Sequence, residues 1–258
     1  MSMTPTAGAR LLRAWRYLYR LPLLAWHVLV HLPLLLLLIA IGDATDTRIG
    51  HAALRWWAGW FLRIFGIRLR REGVPLAGGT MFVANHVSWV DIVALHSQHV
   101  MGFIAKHEIR GWPMIGWLTT HAETIFLRRG DSDSLGGVME EMTARLRAGR
   151  AVAAFPEGGT RPGDAVGPFH ARIFTAAVAA DAPVQPVALC YGDGCEAQSI
   201  VAFAPRESFM ANLVRLLGEP SRPARVCFLE PILHNEHEGR RGIAQLARAR
   251  ILGAMQAT

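Results

Sequence analysis

The sequence predicts an α/β protein: a layered domain with a mostly parallel central sheet flanked by helices, plus an N-terminal membrane-associated helical hairpin. Three observations carry this. From about residue 67, short apolar runs of strand length alternate with helical patterns, punctuated by Gly, Pro and Asp. Before that point lie two long apolar segments, the first without any Asp, Glu, Lys or Arg from Leu21 to Ile41. The 258 residues suffice for one full α/β domain and an added element, and no internal repeat is evident. The division expected is 1–71 for the membrane-anchoring hairpin and 72–258 for the α/β domain.

The N-terminus is basic and aromatic, with Arg10, Arg13, Arg16 and Arg20 interleaved with Trp15, Tyr17 and Tyr19. The charge-free stretch Leu21–Ile41 is long enough to cross a bilayer, although Pro22, Pro33, His27 and His31 argue against a plain span. It is too long for the apolar core of a cleaved signal peptide. A polar turn, Gly42-Asp43-Ala44-Thr45-Asp46-Thr47, leads into His51–Ile67. There Trp57, Trp60, Phe61, Ile64 and Phe65 recur at helical spacing while Arg55, Gly59 and Arg63 fall on another face. Arginines precede the first segment and follow the second (Arg68, Arg70, Arg71), and the turn between them holds two acids and no base. The positive-inside rule then puts both ends on the cytoplasmic side of the inner membrane, as a hairpin dipping into that leaflet or as two spans.

Strands are expected near Ile67–Glu72, Thr80–Ala84, Met101–Ala105, Thr124–Leu127, Ala151–Phe155, Val184–Tyr191, Ser199–Phe203 and Ala224–Leu229. Helices are expected near Ser88–Ser97, Ile109–Thr119, Ser132–Ala148, Phe169–Ala180, Glu207–Leu217 and His237–Met255.

Composition narrows the partners. The chain is 52% hydrophobic with net charge +7, and its basic residues are nearly all arginine, Lys106 being the single lysine. That balance suits an anionic membrane surface or anionic substrates. No zinc-ligand spacing, recognition helix or stacking motif supports nucleic acid. Cys190, Cys195 and Cys227 form neither a disulfide framework nor a metal set, and no metal is expected.

Two stretches carry chemistry. In Thr80–Asp91 an apolar strand ends at Asn85-His86, and Ser88 opens a second apolar run that carries Asp91. Across a strand-to-helix junction the strand tip and first helical turn can face each other, so His86 and Asp91 can meet as a general base and the acid that orients it. The same residues also fit a helix cap, with Ser88 at the N-cap, Asp91 in the first turn and Asn85 closing the turn. In Ala151–Arg161 a strand is closed by Pro156. Glu157 then sits at the tip, Gly158 and Gly159 free the backbone to turn towards a ligand, and Thr160 and Arg161 add a hydroxyl and a cation for an anion.

Taken together, the two stretches resemble the glycerolipid acyltransferase family. Asn85-His86-Val87-Ser88-Trp89-Val90-Asp91 matches its His-x4-Asp motif, and Phe155-Pro156-Glu157-Gly158 its acceptor-binding motif. Thr124-Ile125-Phe126-Leu127-Arg128-Arg129 looks like the block ending in an arginine for the acceptor headgroup, with Arg129 before Arg128 as the candidate. Pro183-Val184-Gln185-Pro186-Val187 resembles the fourth block, and the likeness runs over about residues 67–230. It implies transfer of a fatty acyl group from acyl-CoA or acyl-carrier protein, without a further cofactor, to the hydroxyl of a lysolipid. The first acceptor implied is 1-acyl-glycerol-3-phosphate, giving phosphatidic acid in phospholipid biosynthesis, and the alternative is lyso-ornithine lipid. His86 and Asp91 would be catalytic. Glu157, Gly158, Arg129, Arg128, Lys106 and Arg161 would hold the acceptor, and Asn85 and Ser88 would support the site. One departure bears on the acceptor: many members follow Phe-Pro-Glu-Gly with Thr-Arg-Ser, whereas here Gly159 stands in place of the threonine and the arginine arrives one residue late, at Arg161. A hydrolase of esters or thioesters is the competing class. It would use the same His–Asp pair with water but would need neither an anion-binding motif nor a lipid-facing hairpin.

Overall fold

The computed structural model describes residues 6–42, 48–106, 124–127, 132–163, 165–233 and 239–257. The helix expected at 109–119 lies outside them.

Helix α1 (Ala7–Trp26) runs through a π-helical turn (His27–His31) into α2 (Leu32–Gly42) as one helical rod. The widened turn has a cause in sequence. Pro33 has no N–H to return to the preceding turn, and the Leu32 amide reaches past it to His27 O. His27 fills the space with its own polar contacts, Nε2 to Trp57 O at 3.0 Å and Nδ1 to His31 Nδ1 at 3.0 Å. Helix α3 (Arg48–Ile64) folds back, and Leu32, Leu35 and Ile39 pack against Leu54, Trp57 and Ala58. The two segments therefore form the helical hairpin expected. Among the described residues, Ala7–Ala40 is the one helix long and apolar enough to cross a membrane by length and composition. Its outer side leaves Leu11, Trp15, Leu18, Leu29 and Leu34 at 56% exposure or more, an apolar surface without a protein partner.

The sheet has seven strands in the order β1-β7-β6-β2-β5-β3-β4. They are β1 (Ile67–Glu72), β2 (Met81–Ala84), β3 (Gly102–Lys106), β4 (Ile125–Leu127), β5 (Val152–Ala154), β6 (Val184–Tyr191) and β7 (Arg222–Phe228). Five strands, β6, β2, β5, β3 and β4, are parallel; β7 runs antiparallel to β6, and β1 parallel to β7. Between the strands come α4 (Val90–Gln98), α5 (Ser132–Arg147), α6 (Thr175–Ala180) and α7 (Phe209–Leu217), with α8 (Gly239–Gln256) at the C-terminal end. Central β2 is buried at all four positions, and its alternation sorts the core. Phe82 and Ala84 face α4 and α7 through Val90, Ala94, Leu95 and Leu216, whereas Met81 and Val83 face α5, α6 and α8 through Met142, Ala177 and Ile243. With both faces covered, the central strands read as unbroken apolar runs.

Two expectations are corrected. Ser199–Phe203 is not a strand: Gln198–Val201 forms a single helical turn. Gln198 ties it across the end of β6 through Leu189 O and Tyr191 N, and Arg215 takes Ile200 O and Ala202 O, carbonyls that a strand would give to a neighbour. The cysteines are also not all unpaired. Cys190 and Cys195 are disulfide-bonded across a tight loop turned by Gly192 at φ +88°, and Cys227 is the free, buried one. Spacing alone hid this pair, because residues five apart meet only when the chain reverses between them.

Alpha-1 is bolted to the α/β body rather than trailing from it. Arg16 Nη1 donates to Gly218 O (3.2 Å), the Tyr17 hydroxyl to Val214 O (3.0 Å), and buried Arg20 to Leu217 O (3.0 Å) and Glu219 O (2.7 Å). These are the carbonyls at and just past the C-terminus of α7, where a cation also meets the negative end of the helix dipole.

Candidate active site

Strands β5, β2 and β6 lie side by side and parallel, so their carboxyl ends open on the same edge of the sheet, the usual place for a site in such folds. His86 follows β2, Phe155–Gly158 follow β5, and Tyr191 ends β6. Asn85 ties two of these ends together: its side chain donates to Leu189 O (3.0 Å) and accepts from Leu189 N (2.8 Å), extending the β2–β6 ladder beyond Ala84.

His86 and Asp91 meet. His86 Nδ1 lies 2.7 Å from Asp91 Oδ2, and Asp91 is fully buried while the imidazole is 14% exposed. A carboxylate only accepts, so Nδ1 carries the proton and Nε2 is the basic nitrogen. Nε2 makes no hydrogen bond among the described residues. The ring is held flat against Phe155, with centroids 3.9 Å apart and planes 11° from parallel. Asp91 Oδ2 also accepts from Val87 N (2.6 Å) and Ser88 N (2.9 Å), and Oδ1 accepts from the Tyr191 hydroxyl at 2.6 Å. The pairing and the helix cap, which the sequence sets against each other, thus coexist on one oxygen. The helix itself starts at Val90, later than Ser88, and Ser88 Oγ accepts from Val90 N (3.2 Å). Tyr191 is buried; that burial, then the charge on Asp91 and the bond to it, push the phenol well above its ordinary pKa and keep it a donor.

Glu157 is buried and faces inward. Oε1 accepts from His86 N (2.8 Å) and Oε2 from Gly167 N (2.7 Å). Arg161 lies over it, with Nε 3.4 Å from Oε2 and Nη2 donating to Glu157 O (3.2 Å), and the Arg161 amide donates to His86 O (2.8 Å). Gly158 has φ +72°, and a Cβ there would come within 3.2 Å of the His170 ring. At Gly167 a Cβ would strike Arg161 Nε at 2.7 Å and Glu157 Oε2 at 2.9 Å, so the loop closes over the carboxylate only as glycine. Glu157 and Arg161 are therefore gathered around the backbone of His86, with Gly158 between them turning the chain towards His170. Lys106 ends β3 on the same sheet edge, its side chain outside the described residues, as are Arg128 and Arg129 entirely.

Tyr191 and the clamping role of Phe155 were not singled out from sequence. The available signal for Tyr191 was its position, a polar residue closing a central parallel strand. Trp89, inside the His86–Asp91 segment, donates from Nε1 to Asn212 Oδ1 (2.9 Å) and sits edge-on to Phe61 and Phe65 beside α7.

The sequence profile of the Acyltransferase family matches residues 53–190. The lyso-ornithine lipid O-acyltransferase of Pseudomonas aeruginosa is 34% identical over 189 residues, 73% of each chain. That of Brucella abortus is 32% identical over 212 residues, covering 75% of this chain and 78% of its own. The 1-acyl-sn-glycerol-3-phosphate acyltransferase of Neisseria gonorrhoeae is 36% identical over 128 residues, half of each chain. The crystal structure of the 1-acyl-sn-glycerophosphate acyltransferase of Thermotoga maritima shares the fold with a TM-score of 0.72 over 97% of both chains, at 18% identity.

Proposed function

Because this chain belongs to the acyltransferase family, we propose that it moves a fatty acyl group from a thioester, acyl-CoA or acyl-carrier protein, to the free hydroxyl of a lysolipid at the membrane surface. The observation that carries the proposal is the 2.7 Å contact between His86 Nδ1 and buried Asp91, which leaves Nε2 unengaged. Nε2 takes the acceptor's hydroxyl proton as the oxygen attacks the thioester carbonyl. The C–S bond then breaks, and the imidazolium returns the proton to the departing thiolate. Asp91 holds the tautomer and steadies the imidazolium, and Tyr191 holds Asp91. Base assistance of this kind contributes about 10²–10⁴ in rate. Glu157 fixes the His86 backbone, while Arg129, with Arg128 and Lys106 as alternatives, meets the anionic group of the acceptor headgroup, a carboxylate or a phosphate. Arg161, drawn onto Glu157, is a wall of the site.

For the acceptor we favour lyso-ornithine lipid. The relatives matched over about three quarters of this chain carry that name, and the arginine after Phe155-Pro156-Glu157-Gly158 is both displaced by one residue and engaged with Glu157. The second reading, 1-acyl-glycerol-3-phosphate, is favoured by the higher local identity of the Neisseria relative. The hairpin's uncovered apolar side and the flanking arginines support an inner-membrane enzyme with its α/β domain on the cytoplasmic side.

Purified protein given both lysolipids with acyl-CoA or acyl-carrier protein, and products read by mass spectrometry, tests this directly. Acylated ornithine lipid exceeding phosphatidic acid is the expected result. Hydrolysis of the thioester without any acylated lipid would overturn the proposal. His86→Ala protein should give no product while keeping its melting temperature within a few degrees.

A further inference from the structure

Helix α3 carries a feature that acyl transfer does not use. Arg55, Gly59 and Arg63 are spaced four apart and so share one face. Between the two guanidinium-bearing positions the glycine leaves a notch, since a Cβ at Gly59 would meet nothing within 4 Å. The notch opens into a cavity of about 240 Å³ between α3, β1 and the C-terminal end of α4, with Arg55 and Arg63 on the α3 side and Ser97 and Gln98 opposite. Leu62, Ile67 and Leu69 make an apolar floor. No acidic side chain lines the cavity, and among the described residues neither arginine has an ion pair or hydrogen bond to an acid. Arg63 rests over the Trp60 ring at 5.2 Å. Trp56 and Trp60 form the rim, 51% and 45% exposed, on the same outer stripe as Ile49 at 70%. Tryptophans so placed sit at headgroup depth.

We propose that this cleft binds the phosphate-bearing headgroup of an anionic bilayer phospholipid, with its acyl chains running out over Trp56 and Trp60. Arg55 is half-buried and Arg63 exposed at the cleft, so both guanidinium groups are free to reach an anion seated in it, and the fork geometry of arginine suits phosphate oxygens. The cavity has room for a headgroup rather than a whole lipid, and Trp56 at its rim packs edge-on against His31 of the helical rod, so a lipid's tails would leave the cleft along the hairpin. The site is separate from the one at His86. Asp91 stands in the first turn of α4 and Gln98 closes the helix, about 10 Å further along its axis at 1.5 Å per residue.

The test uses the full chain in neutral maltoside micelles. Melting temperature is followed as dioctanoyl phosphatidylglycerol, dioctanoyl phosphatidylcholine or glycerol phosphate is added, since a bound ligand raises it by mass action. Phosphatidylglycerol should stabilise the protein, and the other two should not. Losing one arginine should weaken phosphatidylglycerol about five-fold and losing both about 30-fold, so Arg55→Gln/Arg63→Gln protein should show almost no shift. Gly59→Leu, which fills the notch but keeps both charges, should lose the shift too. Arg10→Gln/Arg13→Gln, which removes equal charge elsewhere, should keep it. Stabilisation by phosphatidylcholine to the same extent, or by glycerol phosphate alone, would overturn the proposal. So would a full shift in Gly59→Leu, which would mean diffuse charge attraction and not a site.

Discussion

Asp91→Asn is the sharpest perturbation of the proposed chemistry, and its outcome can be worked from the hydrogen bonds. Oδ2 accepts from three donors, Val87 N (2.6 Å), His86 Nδ1 (2.7 Å) and Ser88 N (2.9 Å), and Oδ1 from one, the Tyr191 hydroxyl (2.6 Å). An asparagine has one accepting end. Its NH₂ cannot take the Oδ2 place, because two fixed backbone N–H groups already point there. The amide oxygen must therefore face His86, and the NH₂ faces Tyr191, whose oxygen can accept. His86 keeps its Nδ1 proton, unlike the corresponding change in serine proteases, where the wrong tautomer contributes to a loss of about 10⁴. What is lost is the charge opposite the imidazolium. Two unit charges about 4 Å apart at an effective dielectric of 20 interact by about 4 kcal/mol, or about 10³ in rate. Turnover should fall about 10³-fold with acceptor KM unchanged, and the melting temperature should drop only a few degrees. Thiol release at saturating acceptor, run beside thermal melting, reads both. Turnover within a few-fold of the parent would remove the His86–Asp91 pair as the engine. A loss well beyond about 10³, approaching the roughly 10⁴ of the serine-protease case, would refute the argument that the two amides dictate the orientation of the asparagine.

Four further outcomes can be measured on the same protein. Tyr191→Phe leaves Oδ1 buried without its donor and should lower kcat about ten-fold with KM unchanged, since an unpaired buried acceptor costs about 1–3 kcal/mol; an unchanged kcat would make Tyr191 packing alone. Arg129→Ala should raise the acceptor KM by about 10–100-fold, the worth of a charge-assisted contact of ~1.5–3 kcal/mol, and unaltered acceptor kinetics would pass the role to Arg128 or Lys106. His96, its Nδ1 enclosed without a partner beside Phe103, has its pKa lowered to about 4 by burial and then by His99. The unfolded chain therefore binds its proton first as pH falls, so stability should be full above about 6.5 and decline from there towards 4, and His96→Phe should flatten that part of a melting-temperature profile. Protease added outside sealed right-side-out vesicles should spare residues 72–258, and digestion of that part would reverse the topology.

The layered fold was legible because buried central strands write themselves as short apolar runs: Val184–Tyr191 is a strand over those very residues, and Met81–Ala84 over all but the first of Thr80–Ala84. The meeting of His86 and Asp91 was legible because both lie within one strand-to-helix junction. Tyr191 reaches the same carboxylate from 100 residues away, and its place at the end of a strand does not say which group it will meet. Ser199–Phe203 read as a strand because its apolar texture is that of one, while the side chains that bend it, Gln198 and Arg215, act through tertiary contacts with no period. Glu157 shows a third kind of limit. A carboxylate at a strand tip looks from sequence like a hand held out to a ligand, and whether it turns outward or back onto the amides of His86 and Gly167 depends on a loop closing over it.

The hold of Arg16, Tyr17 and Arg20 on the end of α7 makes the anchor and the α/β body a single rigid lever. A flexible tether would let the catalytic edge wander over a range of heights above the lipid. Here the height would be set by how deep the helical rod sits, and Phe61 and Phe65, pressed edge-on against Trp89, would pass the same constraint to the segment that holds His86. With the rod seated in a bilayer as proposed, bilayer thickness and lateral pressure would become inputs to the site's geometry. In a thicker or more tightly packed membrane the whole lever would ride differently, and the distance a lysolipid hydroxyl must rise to meet Nε2 would change with it.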